Sequence, residues 1–266
     1  MKDKPLILAI KGDARQEYAV AALKGYFKTQ EASFPLTGAG AADILLLPML
    51  THTGSFEGVE RLLAKNALIL GGRIPKELRE SFEAGGYEVI DYYDSEVLKI
   101  KNALPTAEAA LKLAIENTEG VLSGSCVLVT GFGACGEQIA RLFSLMGCKT
   151  LVCARSSVQR AKAQVQGFKA LALTGLAGAA ADADIIINTV PARLFGGREV
   201  RGFKESAVYI EIASYPYGID DGAARALGKR FIAAPALPAK YSPKASGEYI
   251  AEAVRDIIKQ RSEGEN

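Results

Sequence analysis

Short apolar runs alternate with stretches of helical spacing along the whole chain. Residues 6–10 (LILAI) form one such run, Gly12-Asp13 interrupts it, and helical spacing continues through Phe27, which predicts strand, turn and helix. Runs at 43–47 and 67–70 have strand length and end at Pro or Gly, and a helical stretch is expected between them at 56–65. Pro75 opens another helix to Ala84, Gly85-Gly86 ends it, and residues 87–90 read as a strand. The alternation implies a small parallel α/β domain, assigned to residues 1–100. A helix over 102–117 follows, with Pro105 in its first turn, Thr106 beside it and apolar Leu104, Ala107, Leu111 and Ile115. It is expected to link two domains within residues 101–122.

The second half repeats the pattern more clearly. Strands are expected at 126–130, 150–154, 170–173, 185–188, 208–212 and 231–234, helices at 135–146 and 158–166, and a closing helix at 247–258. The fold class is therefore α/β, with two α/β domains. The C-terminal one, residues 123–260, is expected to be a Rossmann-type doubly wound parallel sheet. Residues 261–266 read as a disordered tail.

Gly131-Phe132-Gly133-Ala134-Cys135-Gly136 fits G-x-G-x-x-G and falls directly between a predicted strand and a predicted helix. The first glycine permits a tight turn, the second lets a pyrophosphate approach the backbone, and the third allows close packing of the helix. Free N–H groups at the helix start then face the phosphates. The next strand ends at Ala154, followed by Arg155 and Ser156, with Arg160 one turn on. A carboxylate here would hold a ribose 2′-hydroxyl and repel a 2′-phosphate, whereas Arg and hydroxyl donors attract the phosphate. The cofactor expected is NADP(H). Thr189-Val190-Pro191 ends a strand on the same sheet edge and is expected to border the nicotinamide half.

Composition narrows the alternatives. The 266 residues carry 32 basic and 30 acidic side chains, a net charge of +2, which is too balanced for a phosphate-backbone binder. No nucleic-acid partner is expected. The N-terminus lacks a signal-peptide pattern and no apolar run approaches the roughly 20 residues of a membrane span, so a cytoplasmic location without membrane contact is expected. Cys126, Cys135, Cys148 and Cys153 have neither C-x-x-C spacing nor a nearby histidine, and no metal site is expected.

These segments together resemble the A subunits of dipicolinate synthases, enzymes of spore-forming bacteria that make pyridine-2,6-dicarboxylate. The carriers are Gly12-Asp13-Ala14-Arg15-Gln16, Pro105-Thr106-Ala107-Glu108, the run 131–136, Ala154-Arg155-Ser156-Ser157, Ile187-Asn188-Thr189-Val190-Pro191, Ala234-Pro235-Ala236-Leu237-Pro238 and Ser242-Pro243-Lys244-Ala245-Ser246-Gly247. The order and spacing of these segments make the combination specific. The chain departs from the family after Ser214, where Tyr215-Pro216-Tyr217-Gly218 replaces a basic residue, Pro and paired glycines, and at Ala236 and Ala239, where glycines are usual.

The resemblance implies an NADP-dependent oxidation of a dihydro- or hydroxytetrahydro-dipicolinate to dipicolinate during sporulation. It also implies a flavoprotein-like B subunit for a partner, and a homo-oligomer is an open expectation. Arg15, Thr106, Lys244 and Ser246 are the candidates for binding the substrate carboxylates, because an Arg fork donates two parallel hydrogen bonds and hydroxyls and Lys add single donors. No catalytic residue is identified; Lys240, Ser214 and His52, the only histidine, are candidates. Two alternatives stay open: another two-domain NADP-dependent dehydrogenase of an amino or hydroxy acid, and a dinucleotide-binding subunit without catalysis.

Overall fold

The apolar runs assemble into two all-parallel sheets, one in each of two units. The computed structural model describes residues 4–36, 40–49, 56 and 58–264. The units comprise the described parts of Met1–Lys101 with Ser242–Asn266, and Asn102–Tyr241.

The first unit contains β1 (Leu6–Ile10), α1 (Ala14–Leu23), β2 (Lys28–Ala32), β3 (Ala42–Met49), β4 (Leu63–Gly72), α2 (Lys76–Ala84) and β5 (Glu88–Asp91). The strands lie in the order β2-β1-β3-β4-β5. Asp13 caps α1 by accepting from the Arg15 backbone N–H at 3.0 Å. In place of the helix expected at 56–65, the described residues form only a 3₁₀ turn at Val59–Leu62, and the chain is already strand from Leu63. The reason lies in pairing: β3 and β4 match Ala42 with Leu63, which extends the ladder backward from the buried run that begins at Ala67.

α3 (Glu96–Asn117) starts six residues earlier than expected, so Pro105 sits inside it rather than in its first turn. The helix opens in the first unit and continues in the second, crossing the boundary after Lys101.

The second unit holds β6 (Cys126–Thr130), α4 (Ala134–Leu145), β7 (Lys149–Cys153), α5 (Ser157–Val165), β8 (Lys169–Leu171), α6 (Leu176–Asp182), β9 (Ile185–Asn188), α7 (Gly197–Val200), β10 (Val208–Glu211), α8 (Asp221–Leu227), β11 (Phe231–Ala233) and α9 (Leu237–Tyr241). Its sheet runs β11-β10-β9-β6-β7-β8, the order of a doubly wound dinucleotide fold, and the reversal between β6 and β9 opens a crevice at their carboxyl ends. On one face Val127, Val129, Ile185 and Ile187 pack with Ile139 and Phe143 of α4 and with Ala107 and Ala110 of α3. On the other, Leu128 and Ile186 pack with Leu176, Phe195 and Tyr209.

The closing helix corrects the expected boundary at residue 260. α10 (Pro243–Gly264) joins the first unit, not the second, because Ile250, Ala251 and Val254 bury against Ala19, Val20 and Leu23 of α1. Contact is close at Gly247, where a Cβ would lie 2.5 Å from the Arg15 carbonyl oxygen and 2.6 Å from Tyr18 Cβ. The helix also runs through residues 261–264, expected as disordered tail, and Arg261 Nε reaches Glu88 Oε2 at 2.9 Å.

Candidate functional site

The site candidate is the carboxyl edge of β6, β7, β9 and β10. Gly131 leaves β6 with φ +87°, and its N–H donates to the Cys153 carbonyl at 2.8 Å. A side chain there would strike Thr189 Oγ1 at 2.6 Å and Val190 Cγ2 at 2.9 Å, so positive φ and close approach both require glycine. Gly136 is pressed onto the turn from within α4. Gly133 differs: a Cβ would meet nothing within 4 Å, and no side chain caps the helix that starts after it. The first-turn N–H groups of a helix have no i−4 carbonyl to bond, so open space beside an uncapped N-terminus is a cradle suited to a pyrophosphate. Phe132 is buried against Phe168, while Ala134 and Cys135 form the first helical turn.

At the end of β7, Arg155 and Ser156 are exposed, and Ser156 caps α5 by accepting from the Gln159 N–H. Arg160 turns back on the loop, donating from Nη1 to the Ala154 carbonyl at 2.9 Å and to that of Arg155 at 2.7 Å. It therefore shapes the turn that presents Arg155. Burial raises the Cys153 thiol pKa, partly offset by the positive charge of Arg160.

Between β6, β9 and β10 lies a buried polar network. Thr130 Oγ1 donates to Asn188 Oδ1 at 2.5 Å. Asn188 Nδ2 donates to Glu211 Oε1 at 2.6 Å and to the Val190 carbonyl at 2.9 Å, and Asn188 Oδ1 accepts from Val190 N–H at 3.1 Å. Glu211 Oε2 accepts from Tyr209 OH at 3.1 Å and Gly218 N–H at 2.9 Å. Thr130, Asn188, Tyr209 and Glu211 are all fully buried. Burial pushes the Glu211 carboxyl up to about 6 although these donors pull it down, and burial followed by the Glu211 charge raises the Tyr209 phenol. Thr189 Oγ1 donates to the Thr130 carbonyl at 2.7 Å, which fixes the 189–191 segment over Gly131. Sequence reasoning missed Glu211; the one signal was an acidic residue inside the apolar run VYIEIA.

The other candidates are scattered. Ser214 is exposed just beyond β10, and Lys240 is exposed in α9, its Nζ 5.1 Å from the Tyr241 ring centre. Thr106 is buried and donates to the Asn102 carbonyl at 2.8 Å, a bond within its own helix. In the first unit the buried Arg15 guanidinium is already engaged by Asp13, through Nε at 3.0 and 3.1 Å and Nη2 at 2.5 Å. Burial alone would raise the Asp13 carboxyl, but the Arg15 bonds and charge outweigh it and hold it below the usual carboxylate range. Lys244 is exposed in the first turn of α10, and Ser246 is wholly buried with its hydroxyl unpaired. His52 lies outside the described residues.

Comparison with known proteins agrees with this geometry. Residues 106–214 match the model of the D-isomer specific 2-hydroxyacid dehydrogenase NAD binding domain. The A subunit of dipicolinate synthase from Bacillus subtilis (strain 168) is 30% identical over 171 residues, which span 64% of this chain and 58% of that protein's length. The crystal structure of the A subunit of dipicolinate synthase from Bacillus halodurans superposes with a TM-score of 0.86 over 97% of this chain and 99% of that one, at 23% identity. That of the Bacillus subtilis A subunit gives a TM-score of 0.86 over 98% and 97%, at 24% identity. Among the described residues no helix is long and apolar enough to cross a membrane. The chain is thus a relative of the dipicolinate synthase A subunits, sharing their fold and carrying a nicotinamide-dinucleotide domain of the 2-hydroxyacid dehydrogenase type.

Proposed function

We propose that this chain is an NADP(H)-dependent oxidoreductase subunit that oxidises a dihydro- or hydroxytetrahydro-dipicolinate to dipicolinate. The observation that carries the cofactor reading is the pairing of an open glycine cradle at Gly133 with exposed Arg155 and Ser156, and no carboxylate, at the end of β7. When bound, NADP⁺ supplies a hydride acceptor at its nicotinamide ring. The N–H groups of residues 133–136 hold the pyrophosphate, Arg155 and Ser156 hold the 2′-phosphate, Arg160 braces their loop, and residues 189–191 border the nicotinamide half.

The substrate reading rests on the relationship to the dipicolinate synthase A subunits. Lys240, Lys244 and Ser214 are exposed and are the first candidates for carboxylate contact, with Thr106, Ser246 and His52 after them. Arg15 can take a substrate carboxylate only in exchange for Asp13, so the ion pair is a stand-in that keeps the buried guanidinium neutralised until substrate arrives. The relatives' name supports a cytoplasmic setting, a first unit that serves the substrate side, and a second, B-type partner. Aromatisation of the product ring makes the oxidation favourable, and the protein's task is to orient the ring and exclude water.

The test is a titration of the purified chain with NADPH and NADH, repeated for Arg155→Asp. NADPH is expected to bind at least about tenfold tighter, a difference of about 1.4 kcal/mol, and the variant to lose or reverse that preference. Equal binding of the two, or none, overturns the cofactor assignment. Formation of an ultraviolet-absorbing pyridine dicarboxylate in the presence of the B-type partner then tests the substrate; turnover of simple hydroxy acids instead would replace it.

A further inference from the structure

A buried ionisable carboxylate is an expensive choice for the end of a core strand, and an apolar residue there would be easier to bury. The three other β10 residues, Val208, Tyr209 and Ile210, and the β9 residues Ile185, Ile186 and Ile187 fill their places without charge. Glu211 must therefore do something that an apolar residue cannot.

Resting on the dinucleotide reading above, we infer that Glu211 is a positioning residue for the nicotinamide side of the crevice, acting through Asn188 on Val190 and through Gly218 on the loops beyond β9 and β10.

What Glu211 controls is which way round the Asn188 carboxamide sits. The two ends of that carboxamide clamp a single residue, Oδ1 accepting from Val190 N–H and Nδ2 donating to the Val190 carbonyl. A flip would set an NH₂ against the Val190 N–H and an oxygen against the Val190 carbonyl. An ionised Glu211 accepts and does not donate, so it admits only the NH₂ end at 2.6 Å. Thr130, whose hydroxyl can rotate, completes the oxygen end. The clamp matters for the crevice because Val190 and Thr189 are the residues that crowd Gly131.

The second carboxylate oxygen acts in the same sense. It receives Gly218 N–H, and the Gly218 carbonyl in turn accepts from Leu194 N–H and Phe195 N–H, both at 2.8 Å. One buried group therefore orders both segments that leave the sheet on this side. Gly218 can play this part only as glycine, since a Cβ would lie 2.3 Å from Asn188 Nδ2.

Glu211→Gln keeps the shape and breaks the logic. Its amide can satisfy Asn188 with its oxygen or Gly218 with its oxygen, but not both, and the NH₂ then opposes a donor.

The experiment compares the affinities of the full-length wild type and Glu211→Gln for NADPH and for 2′-phospho-ADP-ribose, which lacks the nicotinamide half. The variant is expected to bind NADPH about tenfold more weakly while 2′-phospho-ADP-ribose changes by less than about twofold, with NADPH fluorescence shifted toward its value in water. Parallel loss for both ligands, or no loss for either in a folded variant, overturns the inference. Asn188→Ser, which removes the clamp and leaves the carboxylate its other donors, is read by the same split and decides the matter if Glu211→Gln does not fold. A wild type that binds neither ligand brings down the dinucleotide reading first, and so is distinct from a failure of Glu211 alone.

Discussion

A Cβ on Gly136 would stand 2.3 Å from the carbonyl oxygen of Gly131. The third glycine of the turn is thereby locked to the first through backbone alone, whereas the second, Gly133, faces open space. The three glycines have different physical duties, and substitution separates them. Gly136→Ala must displace either α4 or the turn, because both contacting groups are backbone. It is expected to lower stability by about 1–3 kcal/mol along with dinucleotide affinity. Gly133→Ala is expected to leave stability within about 0.5 kcal/mol and to weaken dinucleotide binding alone. Urea unfolding and NADPH titration of the two variants check this, and equal stability loss in both would contradict it.

Arg160 is expected to act on cofactor choice without touching the cofactor. Replacing it with Met removes both carbonyl contacts that shape the 154–156 turn but keeps much of the side chain's bulk. NADPH affinity is expected to fall about fivefold, a loss of about 1 kcal/mol, with NADH affinity little changed. If NADH binding fell as far, Arg160 would be supporting the whole domain and not the turn.

The pH dependence of stability follows from the sign of the Glu211 shift. Its carboxyl titrates at about 6 in the fold against an ordinary 4.5, so the folded state holds the proton better than the unfolded chain. The associated stability is fully present below about 4.5 and is lost as pH rises through 6, by about 2 kcal/mol in all. Asp13 is shifted the other way and loses its contribution only as pH falls below the usual carboxylate range, outside this window. Unfolding free energies at pH 4.5 and 7 for wild type and Glu211→Gln should therefore converge or cross as pH rises. A constant difference would mean that the carboxylate is not perturbed.

Gly247→Ala is expected to loosen α10 from α1, since its Cβ would meet the backbone of Arg15 and Ala19 as well as Tyr18 Cβ. The first unit should lose about 1–3 kcal/mol, while NADPH affinity stays near that of the wild type. Hydrogen exchange confined to residues 14–23 and 243–264 would identify the site of the loss; protection unchanged there would refute the packing argument.

Much of this could be read from the chain because local pattern and tertiary role coincide. The turn 131–136 and the runs that became β6, β9 and β10 are such cases. β2 could not be read in that way, since KTQEA is a polar edge strand that pairs only with β1, and edge strands need no apolar alternation. α6 and α8 were equally silent: LAGAAAD and DGAARAL carry too few large apolar residues to show a period. Glu211 was hidden for a different reason. Its neighbours along the strand are apolar, and the partners that give it meaning, Asn188 and Gly218, are brought to it by sheet pairing and a returning loop. Thr106 and Ser246 were the right residue types for a ligand, but helix phase turned both inward.

α10 belongs to the unit whose strands are made first, although it is the last helix along the chain. During synthesis the second unit can finish its sheet while the first still lacks one wall, leaving Ala19, Val20 and Leu23 uncovered until α10 has left the ribosome. The order of completion is thus the reverse of the order of translation, and the apolar side of α1 is the surface that chaperones would meet on the nascent chain.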